Sequence, residues 1–164
     1  GEPVIQYGPF VMNTKEDGSR VHVPVDNWYE WCTNTDTIQM NEFEIASLTR
    51  DKLSEYKIAE EILYNRSYDV KGLIVTRGKI GVTGFLKKER IIGSEKFNDL
   101  NHIDIDSIEN PHFVDSTGCG DVFASSFTID YSKTKDFTKS IHYANRMASY
   151  NSSLMGIEEL DKLK

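Results

Sequence analysis

The stretch Val114-Asp115-Ser116-Thr117-Gly118-Cys119-Gly120-Asp121 decides how this chain is read. It closes an apolar pair, Phe113 and Val114, and opens onto a helical pattern from Val122 to Tyr131. Glycines at 118 and 120 allow a tight turn and leave amide N–H groups uncovered at a helix N-terminus, where the backbone carries partial positive charge. Such a place suits an anion, and Asp121, just inside the turn, puts a carboxylate beside it. A phosphate cradle next to a base is what phosphoryl transfer to a hydroxyl requires. A glycine-rich turn in which Asp115 or Asp121 merely caps a helix has the same spacing. Spacing alone leaves both open.

Outward from that run, strand and helix patterns alternate. Val4 to Tyr7 reads as a short strand ending at Gly8-Pro9, and Asp17-Gly18-Ser19 as a turn before the alternating Val21, Val23 and Val25. These predict a hairpin, weakened by Pro24. Asn27 to Cys32 reads as a short helix whose Trp28, Tyr29 and Trp31 belong to the core. Thr37 to Met40 is a strand leading to Asn41 as a helix N-cap, and Leu53, Ile58, Ala59, Ile62 and Leu63 mark an amphipathic helix. Lys71 to Thr76 gives a buried strand, Arg77-Gly78-Lys79 a turn, and Ile80 to Leu86 a second strand. Lys87 to Arg90 reads as a charged turn, followed by short strands at Arg90 to Ile92 and His102 to Ile105. A last helix runs from about Asp136 to Ser152 and closes near Gly156. The alternation predicts an α/β fold with a largely parallel sheet flanked by helices. Ligands of such sheets collect at strand carboxyl ends and the helix N-termini that follow, and the signature run lies at such a junction.

The bulk properties narrow the class. The 164 residues suffice for a single domain, residues 1–164, with a real core. Lys and Arg number 19 against 26 Asp and Glu, a net charge of -7 that disfavours nucleic acid as a partner. No apolar run approaches membrane-spanning length and no signal peptide opens the chain, so a cytoplasmic location is expected. Cys32 and Cys119 lack a Cys-x-x-Cys partner and read as free thiols; His22, His102, His112 and His142 show no metal-ligand spacing. No Gly-x-x-x-x-Gly-Lys-[Ser/Thr] occurs, and Phe123 stands at the third Rossmann glycine position, so P-loop and dinucleotide folds are disfavoured.

Asp115-x-Thr117-Gly118-x-Gly120-Asp121 resembles the signature of the ribokinase-like, or PfkB, family of carbohydrate and nucleoside kinases. Cys119 stands where that family usually has Ala or Gly, and Ser126 replaces another small residue; neither removes a backbone donor or the carboxylate. Asn41-Glu42-Phe43-Glu44 is similar to the family's Asn-x-x-Glu motif, and Thr76-Arg77-Gly78-Lys79-Ile80-Gly81 to its Thr-x-Gly-x-x-Gly nucleotide loop. Each has a plainer alternative: a capping box for the first, a hairpin turn for the second. Asn145 lies in the last helix, where the family has an Asn near the adenine site; an outward-facing Asn remains open.

The resemblance covers about Thr37 to Gly156 in correct chain order. It implies transfer of the γ-phosphoryl group of ATP to an alcohol of a sugar or nucleoside. Asp121 is then the base, and the amides of Gly118, Cys119 and Gly120 form the anion hole. Thr76, Gly78, Gly81, Asn145 and Asn41 hold the nucleotide, and Glu44 acts on Mg²⁺ through water. Asp115, Thr117, Asn151 and Gly156 match places where some members bind a monovalent cation such as K⁺. Ribokinase-like chains are longer, and their N-terminal half carries a Gly-Gly sugar motif, an acceptor-binding aspartate and a lid sheet. No Gly-Gly pair occurs here, and the chain begins with Gly1, so the expectation is the C-terminal half of such a kinase, inactive alone. A nucleotide-binding or regulatory module that does no chemistry is the alternative. The acceptor and the oligomeric state are not legible.

Overall fold

The structure, a computed structural model, describes residues 5–7, 10–48 and 53–154. Contacts divide the chain into two compact units, Pro3–Val75 with Gly84–Ile103, and Thr76–Thr83 with Asp104–Lys164. Among the described residues, seven strands form two sheets. β1 (Ile5–Tyr7), β4 (Thr37–Asn41), β5 (Gly72–Thr76), β6 (Gly81–Ile92) and β7 (Glu95–Asp106) make a five-stranded sheet in that spatial order. β2 (Phe10–Thr14) and β3 (Arg20–Pro24) pair antiparallel in a separate hairpin. β1 and β4 are parallel, with Ile5 opposite Thr37. β6 and β7 are joined by Gly93 and Ser94 alone, with Gly93 at φ 63, so this neighbouring pair is an antiparallel hairpin. The sheet is therefore mixed.

The first unit is built on an apolar layer from β4, β5 and α2 (Glu55–Tyr64). Ile38, Met40, Ile58, Ala59, Ile62, Leu63, Val70, Leu73 and Val75 are buried together with Cys32 and Ile45. α2 forms because its apolar residues recur on one face while Ser54 caps its start, accepting from the Lys57 amide at 3.3 Å. Two tyrosines of α2 manage the hairpin backbone. Tyr64 Oη contacts the carbonyls of Lys88 and Asp99 at 2.9 and 2.6 Å, tying β6 to β7. Tyr56 donates to Asp99 Oδ1 at 2.8 Å and accepts from the Leu100 amide at 3.1 Å. That second contact occupies a backbone donor of β7, the terminal strand of the sheet, and so blunts an edge.

In the second unit α3 (Cys119–Thr134) packs on α4 (Phe137–Asn151). Phe127 is wholly buried and stacks on Tyr131 at 5.3 Å, with the Phe137 ring edge-on at 5.5 Å. Ile141 and Ala144 fill the same seam. Lys135 at φ 55 ends α3, and Asp136 caps α4 by accepting from the Lys139 amide at 3.0 Å. No helix among the described residues is long and apolar enough to cross a membrane.

Three expectations change. Lys87 to Arg90 is no turn: it lies inside β6, whose strand runs on to Ile92. Charged residues are tolerated there because the outer half of the β6–β7 ribbon is exposed. Trp28 packs against the core, but Tyr29 and Trp31 are 48% and 43% exposed, because a five-residue 3-10 helix is too short to bury every ring. The hairpin partner of β3 is Phe10–Thr14, a stretch with no clean alternation to announce it.

Candidate functional site

The second unit holds the signature run. Gly118, in the left-handed region at φ 78, is the N-cap of the 16-residue α3, and no side chain caps that helix. In its first turn the Cys119 amide meets a backbone carbonyl, and Gly120 too is engaged. Asp121 sits in that first turn and is exposed. The loop before the helix is strapped to the end of α4. The Val114 and Asp115 amides both donate to the Ser152 carbonyl, at 2.8 and 3.1 Å. Asn151, buried at 3% exposure, donates its Nδ2 to the Thr117 carbonyl at 3.0 Å. Asn110 donates to the Ser149 carbonyl at 2.7 Å.

Within the loop, Asp115 Oδ1 accepts from the Thr117 amide at 3.1 Å. The Thr117 hydroxyl, then its amide, hold the Asp115 carboxyl below the ordinary aspartate range. The Cys119 amide donates to the Ser116 carbonyl at 3.1 Å, closing a turn. Its thiol points to α4, with Sγ 3.4 Å from the Ala148 carbonyl and 3.4 Å from Asn151 Nδ2. Of the residues matched to a cation site, Asp115, Thr117 and Asn151 thus share one hydrogen-bonded cluster. Gly156 lies outside the described residues.

The glycine loop lies in the same unit. Its backbone is closed by Arg77 N donating to the Gly81 carbonyl at 2.8 Å and Ile80 N to the Arg77 carbonyl at 3.1 Å. Gly78 at φ 55 and Gly81 at φ 130 occupy positions that other residues avoid. A Cβ at Gly81 would also collide with the Ile105 carbonyl oxygen. Asn145 is not an idle outward Asn: its Nδ2 donates to the Asp106 carbonyl at 2.9 Å, tying α4 to the end of β7. The Lys79 ammonium lies 5.4 Å from the centre of the Phe113 ring.

Asn41 and Glu44 belong to the first unit, at the start of the six-residue α1 (Glu42–Ser47). Asn41 Oδ1 accepts from the Phe43 and Glu44 amides, each at 2.9 Å, and Glu44 Oε2 accepts from the Asn41 amide at 2.7 Å. The capping box is complete. Glu44 Oε1 lies 4.0 Å from His22 Nε2 on β3, and the His22 ring stacks on Phe43 at 6.4 Å.

Reasoning from the sequence missed Thr83 and Asp104. Thr83 is 5% exposed, accepts from Arg77 Nε at 3.2 Å and donates to Asp104 Oδ1 at 2.6 Å. No short-range signal announces a pair separated by 21 positions.

A sequence model of the pfkB family of carbohydrate kinases matches residues 24–159. No curated protein matches the chain. Among solved structures, a ribokinase from Thermotoga maritima is 25% identical with a TM-score of 0.59, over 82% of this chain and 44% of that one. A ribokinase from Arabidopsis thaliana, complexed with ribose and ATP, is 19% identical with a TM-score of 0.64, over 98% and 47%. An adenosine kinase from Schistosoma mansoni, in complex with 2-fluoroadenosine, is 23% identical with a TM-score of 0.57, over 78% and 37%. The chain therefore spans less than half the length of each of these proteins.

Proposed function

The chain belongs to the pfkB family of carbohydrate kinases, and on that footing we propose that it supplies the ATP site and catalytic base of a kinase acting on an alcohol of a sugar or nucleoside. Its fold is the ribokinase-like α/β fold. The observation that carries the proposal is the start of α3: a long helix with no side-chain cap and an exposed carboxylate in its first turn. A helix N-terminus with no side-chain cap fits a phosphate, and Gly78, which has open space where a side chain would stand, fits a close backbone approach by a nucleotide. A hydrated Mg²⁺ fits Glu44, whose Oε2 is held by the cap while Oε1 lies 4.0 Å from His22 Nε2; Glu44 would act on the ion through water.

In this reading ATP supplies the γ-phosphoryl group and Mg²⁺ offsets charge on its phosphates. Asp121 takes the proton of the acceptor hydroxyl, which makes that oxygen nucleophilic. The N-terminal amides of α3, from Gly118 to Gly120, hold the charge that gathers on the transferring group. Thr76, Gly78, Gly81, Asn145 and Asn41 orient the nucleotide. Asp115, Thr117 and Asn151 keep the loop in place, and these residues would hold K⁺ where such an ion binds. Acceptor contacts lie beyond what these residues supply, so the 164-residue chain binds Mg·ATP yet phosphorylates no acceptor by itself.

The test has two arms. The chain should show a Mg·ATP-dependent thermal shift; a flat response points to a plain structural domain. In the protein that carries the acceptor site, Asp121→Asn should lower turnover by about 10²–10⁴-fold and leave nucleotide binding intact. Turnover near the wild-type rate in that variant removes Asp121 as the base. Intact nucleotide binding with no phosphorylation of any alcohol by the unsubstituted protein favours a regulatory module instead.

A further inference from the structure

The loop from Arg77 to Gly81 has a positive-φ glycine at its second and last positions, so its backbone hydrogen bonds alone hold it weakly against the entropy of an open loop. Side chains add the constraint. Arg77, at the loop's first position, turns its guanidinium inward, and its Nε donates to Thr83 Oγ1 at 3.2 Å. The Thr83 hydroxyl has a single proton, and at 2.6 Å that proton goes to Asp104 Oδ1. Its lone pairs therefore face Arg77, and the direction of both bonds is fixed. The bond to the carboxylate is charge-assisted, and Thr83 is 5% exposed, so water competes poorly for it. On the far side, the Ser107 amide donates to the Ile80 carbonyl at 3.3 Å and the Ser107 hydroxyl to the Lys79 carbonyl. Both walls of the loop are thereby anchored. Arg77 is engaged inside the protein and not offered to a phosphate, whereas Lys79 rests over the Phe113 ring.

We propose that Arg77, Thr83 and Asp104 form a brace centred on the buried Thr83 hydroxyl that presets the Thr76–Gly81 loop, making Arg77 a positioning residue for the nucleotide and not a ligand of it. The proposal rests on the nucleotide reading of that loop. Its consequence is a division of effects: losing the brace weakens nucleotide binding and leaves the chemical step alone, because no member reaches reacting atoms.

The experiment uses the 164-residue chain, with amide hydrogen exchange of Gly78 to Gly81 in the absence of ligand and calorimetric binding of Mg·ADP. Thr83→Val keeps the shape and removes both bonds. It should speed loop exchange and raise the Kd for Mg·ADP, each by about tenfold or more. Thr83→Ser keeps the hydroxyl and should restore both to within about twofold. Arg77→Gln, at the half-buried end, should reproduce the Thr83→Val effects if that variant folds poorly. Equal loop exchange in wild type, Thr83→Val and Arg77→Gln overturns the brace. Faster exchange with unchanged Kd overturns its role in binding. A wild-type chain that binds no Mg·ADP sinks the nucleotide reading instead, and the exchange arm then judges the brace separately.

Discussion

α1 and α3 begin in opposite ways, and the contrast separates a helix end capped by side chains from one that has no side-chain cap. At α1, Asn41 and Glu44 close a reciprocal capping box, so the chain satisfies its own amides. At α3, Gly118 offers no side chain and the exposed Asp121 adds a carboxylate in the first turn. Gly118 sits at φ 78, in the left-handed region where glycine is the residue without strain, so the backbone there excludes the usual side-chain cap. A long helix with no side-chain cap keeps the partial positive charge of its N-terminus, which suits the proposed phosphate.

The contrast breaks first at Gly118. Gly118→Asp places a carboxylate where the proposed phosphate sits. It should weaken Mg·ATP binding by about a hundredfold, since two like charges at close range in a partly buried site repel by several kcal/mol. Gly118→Asn, which tolerates the left-handed backbone, should cost far less. Equal affinities for all three proteins, read by calorimetry, would end the case for an anion at α3.

The two cysteines sharpen it. Cys32 is 1% exposed, and burial pushes its thiol up to about 11, so little thiolate forms and little reagent reaches it. Cys119, half-buried at the first position of α3, should react at least about tenfold faster with a small disulfide reagent at neutral pH. Mg·ATP should slow that phase and Cys119→Ser should abolish it. Protection absent at saturating nucleotide would place the ligand elsewhere.

At α1 the expected effect is one of stability. Asn41→Ala should cost about 1 kcal/mol in urea unfolding, while Asn41→Asp, an equally good cap, should cost almost nothing. If Asn41→Asp nonetheless changes the Mg²⁺ dependence of ADP binding, the motif serves both cap and metal. If both variants match wild type in stability, the capping box is inert.

How much of this was legible in the sequence follows from the range of the interactions. The α1 cap, α2 and the two long helices were readable because their signals lie within four residues: Asn41 with Glu44, the apolar spacing of Ile58, Ile62 and Leu63, Asp136 before Phe137. The signature loop was readable because glycine and aspartate act on their own backbone. β6 past Leu86 was misread, since Lys87 to Arg90 look like a turn unless the ribbon is known to be exposed on the outside. Asn145 bonding to Asp106 and Thr83 bonding to Asp104 were invisible, because their partners are 39 and 21 positions away. Local chemistry marked the candidate residues, and only the tertiary structure supplied what holds them.

The smallest effect tests whether a side chain steadies the α3 loop as well. Asp115 is held below the ordinary aspartate range by the Thr117 hydroxyl and then the Thr117 amide, neither of which it meets in the unfolded chain. In the window between its folded and unfolded values the unfolded chain therefore binds more protons, and stability rises with pH there. The contribution is present at neutral pH and is lost as pH falls below the ordinary aspartate range and through the folded value. Asp115→Asn retains an oxygen acceptor but no titrating group. Its urea midpoint should fall slightly below wild type at neutral pH, and the gap should close as pH falls through the folded value. Because the carboxylate is solvent-facing, added salt should shrink the neutral-pH gap as well. A gap that persists unchanged in acid would mean that Asp115 acts through shape and not charge, leaving Asn151 and the Ser152 carbonyl as the main restraints on the loop.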